Sequence, residues 1–323
     1  MLSPRRRPAG GPPPPPEPGP VLYGKLPARA DFVRRGAASP ALDAFDDLVQ
    51  RAIRSGPRAK SGPLYRMVYA PPGPHALVGA VRLSRDKVGR AYPLVAGRTV
   101  ARDRLDPATA ASWPLRWGPL FDASAWLVEA ALRGAPLDDL DDRLAHLPDL
   151  DPVDGRSAEV DTHVRALAHL RAHSLWQRTW GGSGASGAAV VFHRLAKAPP
   201  APPPYGLRFP LPPAAPDFRS RDAVAVWLAV CWYLLSTRGT GLTLLWAEGP
   251  PYALFVFFTG PSPATVRALL GGASDPDRVA HVDRGAAEAA RRAAVDLPQA
   301  FRRLLRDPDA SVADVLARLH TIR

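Results

Sequence analysis

The sequence predicts an α/β (α+β) fold: a central, mainly antiparallel sheet flanked by helices, with further helices at the C-terminal end. Three observations lead there. Apolar segments of strand length alternate with stretches whose apolar residues recur at helical spacing. Two pairs of strand segments are joined by short turn sequences, PPGPH at 71–75 and EGPP at 248–251, which points to hairpins. Hydrophobic residues make up 46% of the 323-residue chain and include eight tryptophans, enough for a substantial core in one large domain or two smaller ones.

Taken in order, residues 1–20 read as a proline-rich solvated tail without packing residues, in which Arg5, Arg6 and Arg7 are the groups able to touch an acidic surface. The folded region starts near Val21. Ser39-Pro40 reads as an N-cap followed by proline in the first turn. Leu42, Phe45, Leu48, Val49 and Ile53 then recur at helical spacing over 40–54, with Asp43, Asp46 and Asp47 near the end where the helix dipole favours acids. Strands are expected at 63–70 and 76–84, and again at AYPLVAG after the loop RDKVGR. Helices follow at 119–133 and 136–146, separated by Gly134, and the helical pattern continues over 158–173.

AAVVFHRLA (188–196) reads as a strand, and the proline-rich stretch 199–216 either separates two domains or is a surface excursion within one. An apolar helix over 221–236 leads into the hairpin LTLLWAEG/YALFVFFTG, whose second strand is apolar throughout and so should be buried on both faces. A helix at 263–271 ends at Gly271-Gly272. Two helices, 285–306 and 311–320, close the chain; Ser311 and Asp314 make a capping-box start, and Val312, Val315, Leu316 and Leu319 form an apolar stripe.

The formal charge of +12 raises the question of nucleic acid, but the cations are scattered among aspartates and no basic stripe is interleaved with aromatics. No nucleic-acid partner is expected. The single cysteine, Cys231, has no partner for an intramolecular disulfide and suits a reducing cytoplasm. The first residues carry cations without a following apolar segment, unlike a secretory signal. The longest apolar run, 223–235, is 13 residues, short of the roughly 20 a spanning helix needs, so no membrane insertion is expected.

Catalytic patterns are missing. His169 and His173 share a helical face with His163 nearby, but there is no H-E-x-x-H and no cysteine pair, so surface histidines and no metal are expected. GSGASG, with Gly182, Gly184 and Gly187, formally matches a dinucleotide fingerprint. Its surroundings, helical before and strand-like after, reverse the order that fold requires, and a loop is the expectation. No nucleophile elbow occurs. Asp138/Asp139 and Asp141/Asp142 read as a solvated helix face, and Glu248 as a turn residue. No catalysis and no cofactor are expected; the alternative is a nucleotide-binding regulator or enzyme using the glycine loop 181–187.

YGKLPARADFVRRG, starting at Tyr23, closely resembles the opening signature of the TagF (ImpM) family of type VI secretion accessory proteins, Gly-Lys-Leu-Pro-x-x-Gly-Asp-Phe-Val followed by a helix with a Trp-Asp or Phe-Asp pair. The matching residues are Gly24, Lys25, Leu26, Pro27, Asp31, Phe32 and Val33, with Phe45-Asp46 in the helix; Ala30 stands where the family has glycine. A second block is similar to the family's Asp-x-Val-Gly-Arg-x-Phe/Tyr-Pro-Leu motif through Asp86, Val88, Gly89, Arg90, Tyr92, Pro93 and Leu94. The hairpin around Trp246 and Glu248 resembles a third, more degenerate family block.

The resemblance implies one TagF-like domain over 21–275, somewhat longin- or profilin-like, with 199–216 as an excursion and 276–323 as a C-terminal helical extension. It also implies a cytoplasmic, non-catalytic negative regulator that restrains assembly of the apparatus post-translationally by binding a forkhead-associated scaffold protein. Gly24, Lys25, Pro27, Asp31, Phe32, Arg34, Asp86, Gly89, Arg90 and Pro93 are then the candidates for a partner surface or for an internal clamp between loops. In the clamp reading Asp31 pairs with Arg90; in the other, both face the partner.

Overall fold

The computed structural model describes residues 18–36, 38–54, 61–150, 169–198, 206–215, 218–235, 242–271, 278–283 and 286–322. Nine strands form one sheet among these residues: β1 (Pro20–Lys25), β2 (Phe32–Gly36), β3 (Tyr65–Tyr69), β4 (His75–Arg85), β5 (Ala91–Ala101), β6 (Gly206–Pro210), β7 (Thr243–Ala247), β8 (Ala253–Phe257) and β9 (Val279–His281). Their order across the sheet is β2-β1-β5-β4-β3-β7-β8-β6-β9. Every pairing is antiparallel except that of β6 with β9.

Strand alternation divides the core into two layers. Tyr65, Met67 and Tyr69 of β3 face helices α1 (Pro40–Ile53) and α8 (Pro263–Leu270) together with Leu77 and Val81. Val68, Val78 and Leu94 point the other way. On that side lie α2 (Trp113–Arg116), α3 (Gly118–Leu132), α4 (Leu137–Ala145), α5 (Ala172–Trp180), α6 (Gly184–Ala196) and α7 (Ser220–Leu234). All five residues of β8 are buried, Phe255 on one face and Leu254 on the other, which accounts for its unbroken apolar sequence. Ser39 caps α1 by accepting the amide of Ala41, and Pro40 occupies the first turn.

Four expectations need correction. Residues 188–196 are helix, not strand: Val191, Phe192 and Leu195 pack into the larger core, where the Phe192 ring sits 5.8 Å from Trp176 and 5.3 Å from Phe301. The proline-rich stretch 199–216 contains β6, paired on both sides within the sheet, so that part is no surface excursion. The single helix expected at 285–306 is two, α9 (Ala286–Asp296) and α10 (Gln299–Arg306), divided at Leu297-Pro298 because proline fits a helix start and not its interior. The tail expected at 1–20 ends sooner, since Pro20 already belongs to β1.

Residues 1–17, and 158–168 of the helix expected at 158–173, lie outside the described residues. At the C-terminal end, α10 and α11 (Val312–Ala317) place Phe301, Leu305, Val312 and Val315 in the same core as the sheet. The capping box at Ser311 and Asp314 is formed.

Candidate partner-binding site

Two tight loops, 26–31 between β1 and β2 and 86–90 between β4 and β5, lie side by side at one end of the sheet. Alternation along β1 puts Val21, Tyr23 and Lys25 on one face, so Lys25 ends the strand turned toward the second loop. Its ammonium donates to Asp86 Oδ2 at 2.8 Å, with side-chain exposures of 7% for Lys25 and 0% for Asp86. The Arg90 guanidinium reaches the same oxygen through Nε at 2.6 Å. Asp86 Oδ1 accepts the amides of Val88 (3.0 Å) and Arg90 (2.8 Å), which folds the loop around the carboxylate. Burial alone would raise the Asp86 carboxyl, but hydrogen bonds from Lys25 and Arg90 outweigh it and hold the group well below the usual carboxylate range.

Further links join the loops. Arg90 donates to the carbonyl of Ala30, and the amide of Lys87 to the carbonyl of Arg29 at 2.9 Å. Gly24 (φ +135°) and Gly89 (φ +87°) occupy backbone regions that disfavour side chains. At Gly24 a Cβ would also collide with the carbonyl oxygen of Pro93 on β5.

A ring cluster covers the clamp. Phe32, directly opposite Lys25 in the β1–β2 register, lies 5.1 Å under its ammonium, 4.7 Å from Tyr92 and 5.9 Å from Tyr23. Tyr23 donates to Asp46 Oδ1 of α1 at 2.7 Å, and Tyr92 donates to the same oxygen. Burial first, and the Asp46 carboxylate second, push both phenols far above their ordinary value. Arg34 sits 5.9 Å over Tyr23 and pairs with Asp43 at 3.0 Å on the exposed surface.

Phe32 remains 48% exposed, and Val88 on the 86–90 loop is 68% exposed. Arg29, Lys87 and Arg90 are also exposed on the two loops, with Pro27 and Asp31 exposed at the turn. The two loops therefore present apolar and cationic side chains on a backbone fixed from below.

The ten sequence candidates therefore meet, with different tasks. Lys25, Asp86 and Arg90 form the clamp, and Gly24, Gly89 and Pro93 allow its backbone. Phe32, Arg34, Pro27 and Asp31 are exposed. The pairing of Asp31 with Arg90 does not form: Arg90 folds back onto Asp86, four residues away on its own loop, and Asp31 has no ion pair among the described residues. Sequence reasoning overlooked Arg29, Lys87 and the shared acceptor Asp46 for Tyr23 and Tyr92. Tyr23 carried a signal, lying on the same face of β1 as Lys25.

The other flagged groups are structural. Glu248 pairs with Arg66 at 3.1 Å, and Arg66 also reaches Asp122 at 2.9 Å. Cys231 is buried in α7, where burial pushes its thiol up. The glycine stretch 181–187 is mostly helix start: a Cβ at Gly184 would strike the backbone of Trp176, and one at Gly187 the ring of Trp180. These glycines serve close packing of α6 on α5. Among the described residues no group of three or more His, Cys, Asp or Glu is arranged to hold a metal, and no helix is long and apolar enough to cross a membrane.

Residues 21–147 match the family model of the TagF N-terminal domain, described as type VI secretion system-associated. No curated protein matches the chain. Among solved structures, the crystal structure of PA0076 from Pseudomonas aeruginosa PAO1 is similar, at 18% identity and a TM-score of 0.44, over 80% of this chain and 96% of that one. Both clamp loops and the helices that pack behind them, α1, α3 and α4, fall inside the matched segment, so it is the part of the chain similar to a TagF N-terminal domain that builds this site.

Proposed function

We propose that the chain is a non-catalytic cytoplasmic regulator that restrains type VI secretion by binding the forkhead-associated scaffold protein of the apparatus, with the 26–32 and 86–90 loops as the docking surface. The observation that carries this is the half-exposed Phe32, held by two tyrosines and a lysine, with Val88, Arg29, Lys87 and Arg90 exposed on the same two loops. Exposed aromatics on a preorganised backbone are what binding hot spots require, because little freedom is lost on docking. The exposed cations favour an acidic partner surface and speed encounter with it.

Co-expression with the scaffold from the same organism, followed by purification through a tag on this chain, tests the reading. A complex that survives gel filtration at physiological salt is the expected result. Separate elution of the two proteins overturns it.

A further inference from the structure

Helices α6, α9 and α10 meet at a cleft of about 40 Å³, built on elements other than the clamp loops. Ala185 and Ala189 of α6 and Ala290 and Ala294 of α9 line it. The four-residue spacing puts each pair on one face of its helix, so the two helices meet across short side chains that leave the space open. About 10–15 Å³ of such space holds one water, so this cleft has room for a larger polar group.

Both charged groups that line the cleft are cations. Arg302 and Arg306 lie one turn apart on α10, and the Ser186 hydroxyl of α6 is the other polar side chain in the lining. Arg302 is half-buried and fixed through its Nε, which donates to the carbonyl of Leu297 at 3.1 Å and leaves the two terminal nitrogens of the fork for a ligand. Among the described residues neither arginine has an ion pair, and the side chains of Arg306 and Ser186 make no hydrogen bond. The acids closest in sequence are engaged elsewhere. Asp307 Oδ1 accepts the amide of Asp309 at 2.9 Å, and Asp296 pairs with His193 at 2.8 Å and with Lys197 at 4.0 Å. The lining therefore carries two positive charges and no negative one.

Guanidinium forks hold oxyanions through paired N–H donors. A phosphoryl group has oxygens enough for both forks and the hydroxyl, and its charge near −2 balances both arginines. A carboxylate would satisfy one fork and half the charge.

We propose that the α6–α9–α10 cleft binds a phosphoryl group, held by Arg302, Arg306 and the Ser186 hydroxyl. The bound group ties α10 to α6, in a part of the chain beyond the segment matched by the family model. It requires nothing of the Phe32 surface.

Thermal melts of the full chain in inorganic phosphate, with sodium chloride added to constant ionic strength, test this. A ligand of the native state raises the Tm as its concentration passes its Kd, so the wild-type Tm should climb with phosphate. Arg302→Gln/Arg306→Gln should need at least about tenfold more phosphate for the same rise. Arg306→Gln alone changes an exposed side chain and carries the test if the double variant fails to fold. Phenyl phosphate separates the sources: a response equal to that of inorganic phosphate assigns the cleft to a phosphoryl group on a larger molecule, and a response to inorganic phosphate alone assigns it to the free ion. No rise in the wild type overturns the proposal. So does an equal rise in wild type and folded variants, which is what a general salt effect on burial would give.

Discussion

The Lys25 ammonium and the Asp86 carboxylate meet at 2.8 Å beneath two loops that are 61 residues apart in sequence, with both side chains buried. Asp86 binds its own loop through the amides of Val88 and Arg90, and binds the β1 loop through Lys25. One buried carboxylate thereby sets the relative position of both loops and of the exposed groups they carry.

Removing one partner of a buried pair leaves an uncompensated charge. Lys25→Met is therefore expected to lower the Tm by roughly 10 °C, whereas Lys25→Arg, which keeps a cation beside Asp86, should lose less. Thermal melts by circular dichroism of both variants check this. A Lys25→Met protein as stable as the wild type would remove the clamp.

The pH dependence follows from the lowered Asp86 carboxyl. A group whose folded pKa is depressed contributes stability above its unfolded pKa and loses that contribution as pH falls. The Tm difference between wild type and Asp86→Asn should be constant from neutral pH down to about 5 and shrink below about 4, where unfolded aspartate takes up its proton. A gap that widens on acidification would contradict the assignment.

Gly24 and Gly89 should respond differently to alanine. At Gly89 nothing lies within 4 Å of a new Cβ and only the positive φ opposes it, costing about 1–2 kcal/mol. At Gly24 the Cβ also meets the Pro93 carbonyl, and β1 must shift off β5. Urea titrations should place Gly24→Ala well below Gly89→Ala in stability.

The tyrosines give an independent readout. Burial raises Tyr23, Tyr65 and Tyr92 far above their ordinary value and pushes Tyr69 up to about 12. Their phenols bind more protons in the folded than in the unfolded chain above pH ~10, so stability should decline as pH rises through that value. Absorbance at 295 nm should show these four ionising only as the protein unfolds, and Tyr23→Phe/Tyr92→Phe should remove part of that late step.

Millimolar nucleotide should leave the Tm unchanged, since a ligand of the native state would raise it. Gly187→Val should lower the Tm without any ligand, because its side chain drives α6 off Trp180. A nucleotide-dependent rise in the wild type would restore the glycine-loop reading.

Much of this architecture is written locally. Ser39-Pro40 and Ser311/Asp314 specify helix starts through their own side chains, and the two hairpins carry their turns between alternating apolar runs. Residues 188–196 failed because a short run of alanine, valine and phenylalanine fits a buried helix as well as a strand. Its Phe192 packs on Trp176 of the preceding helix and on Phe301, which is remote in sequence, and such tertiary contacts favour the helix. Strand β6 was hidden because prolines surround it, and its pairing with β8 and β9 is entirely nonlocal. In the site, motif residues were legible but their partners were not: Asp31 was the expected mate for Arg90, and the turn geometry of residues 86–90 selects Asp86 instead.

Binding of the purified forkhead-associated scaffold, measured by isothermal titration calorimetry against wild type and Phe32→Ala, tests the central claim most directly. Phe32 is half exposed, so the variant should stay folded with a Tm lowered by only a few degrees, while losing at least about tenfold in affinity, or ~1.4 kcal/mol. Equal affinity of the two proteins, or no binding by the folded wild type, would contradict the assignment of this surface.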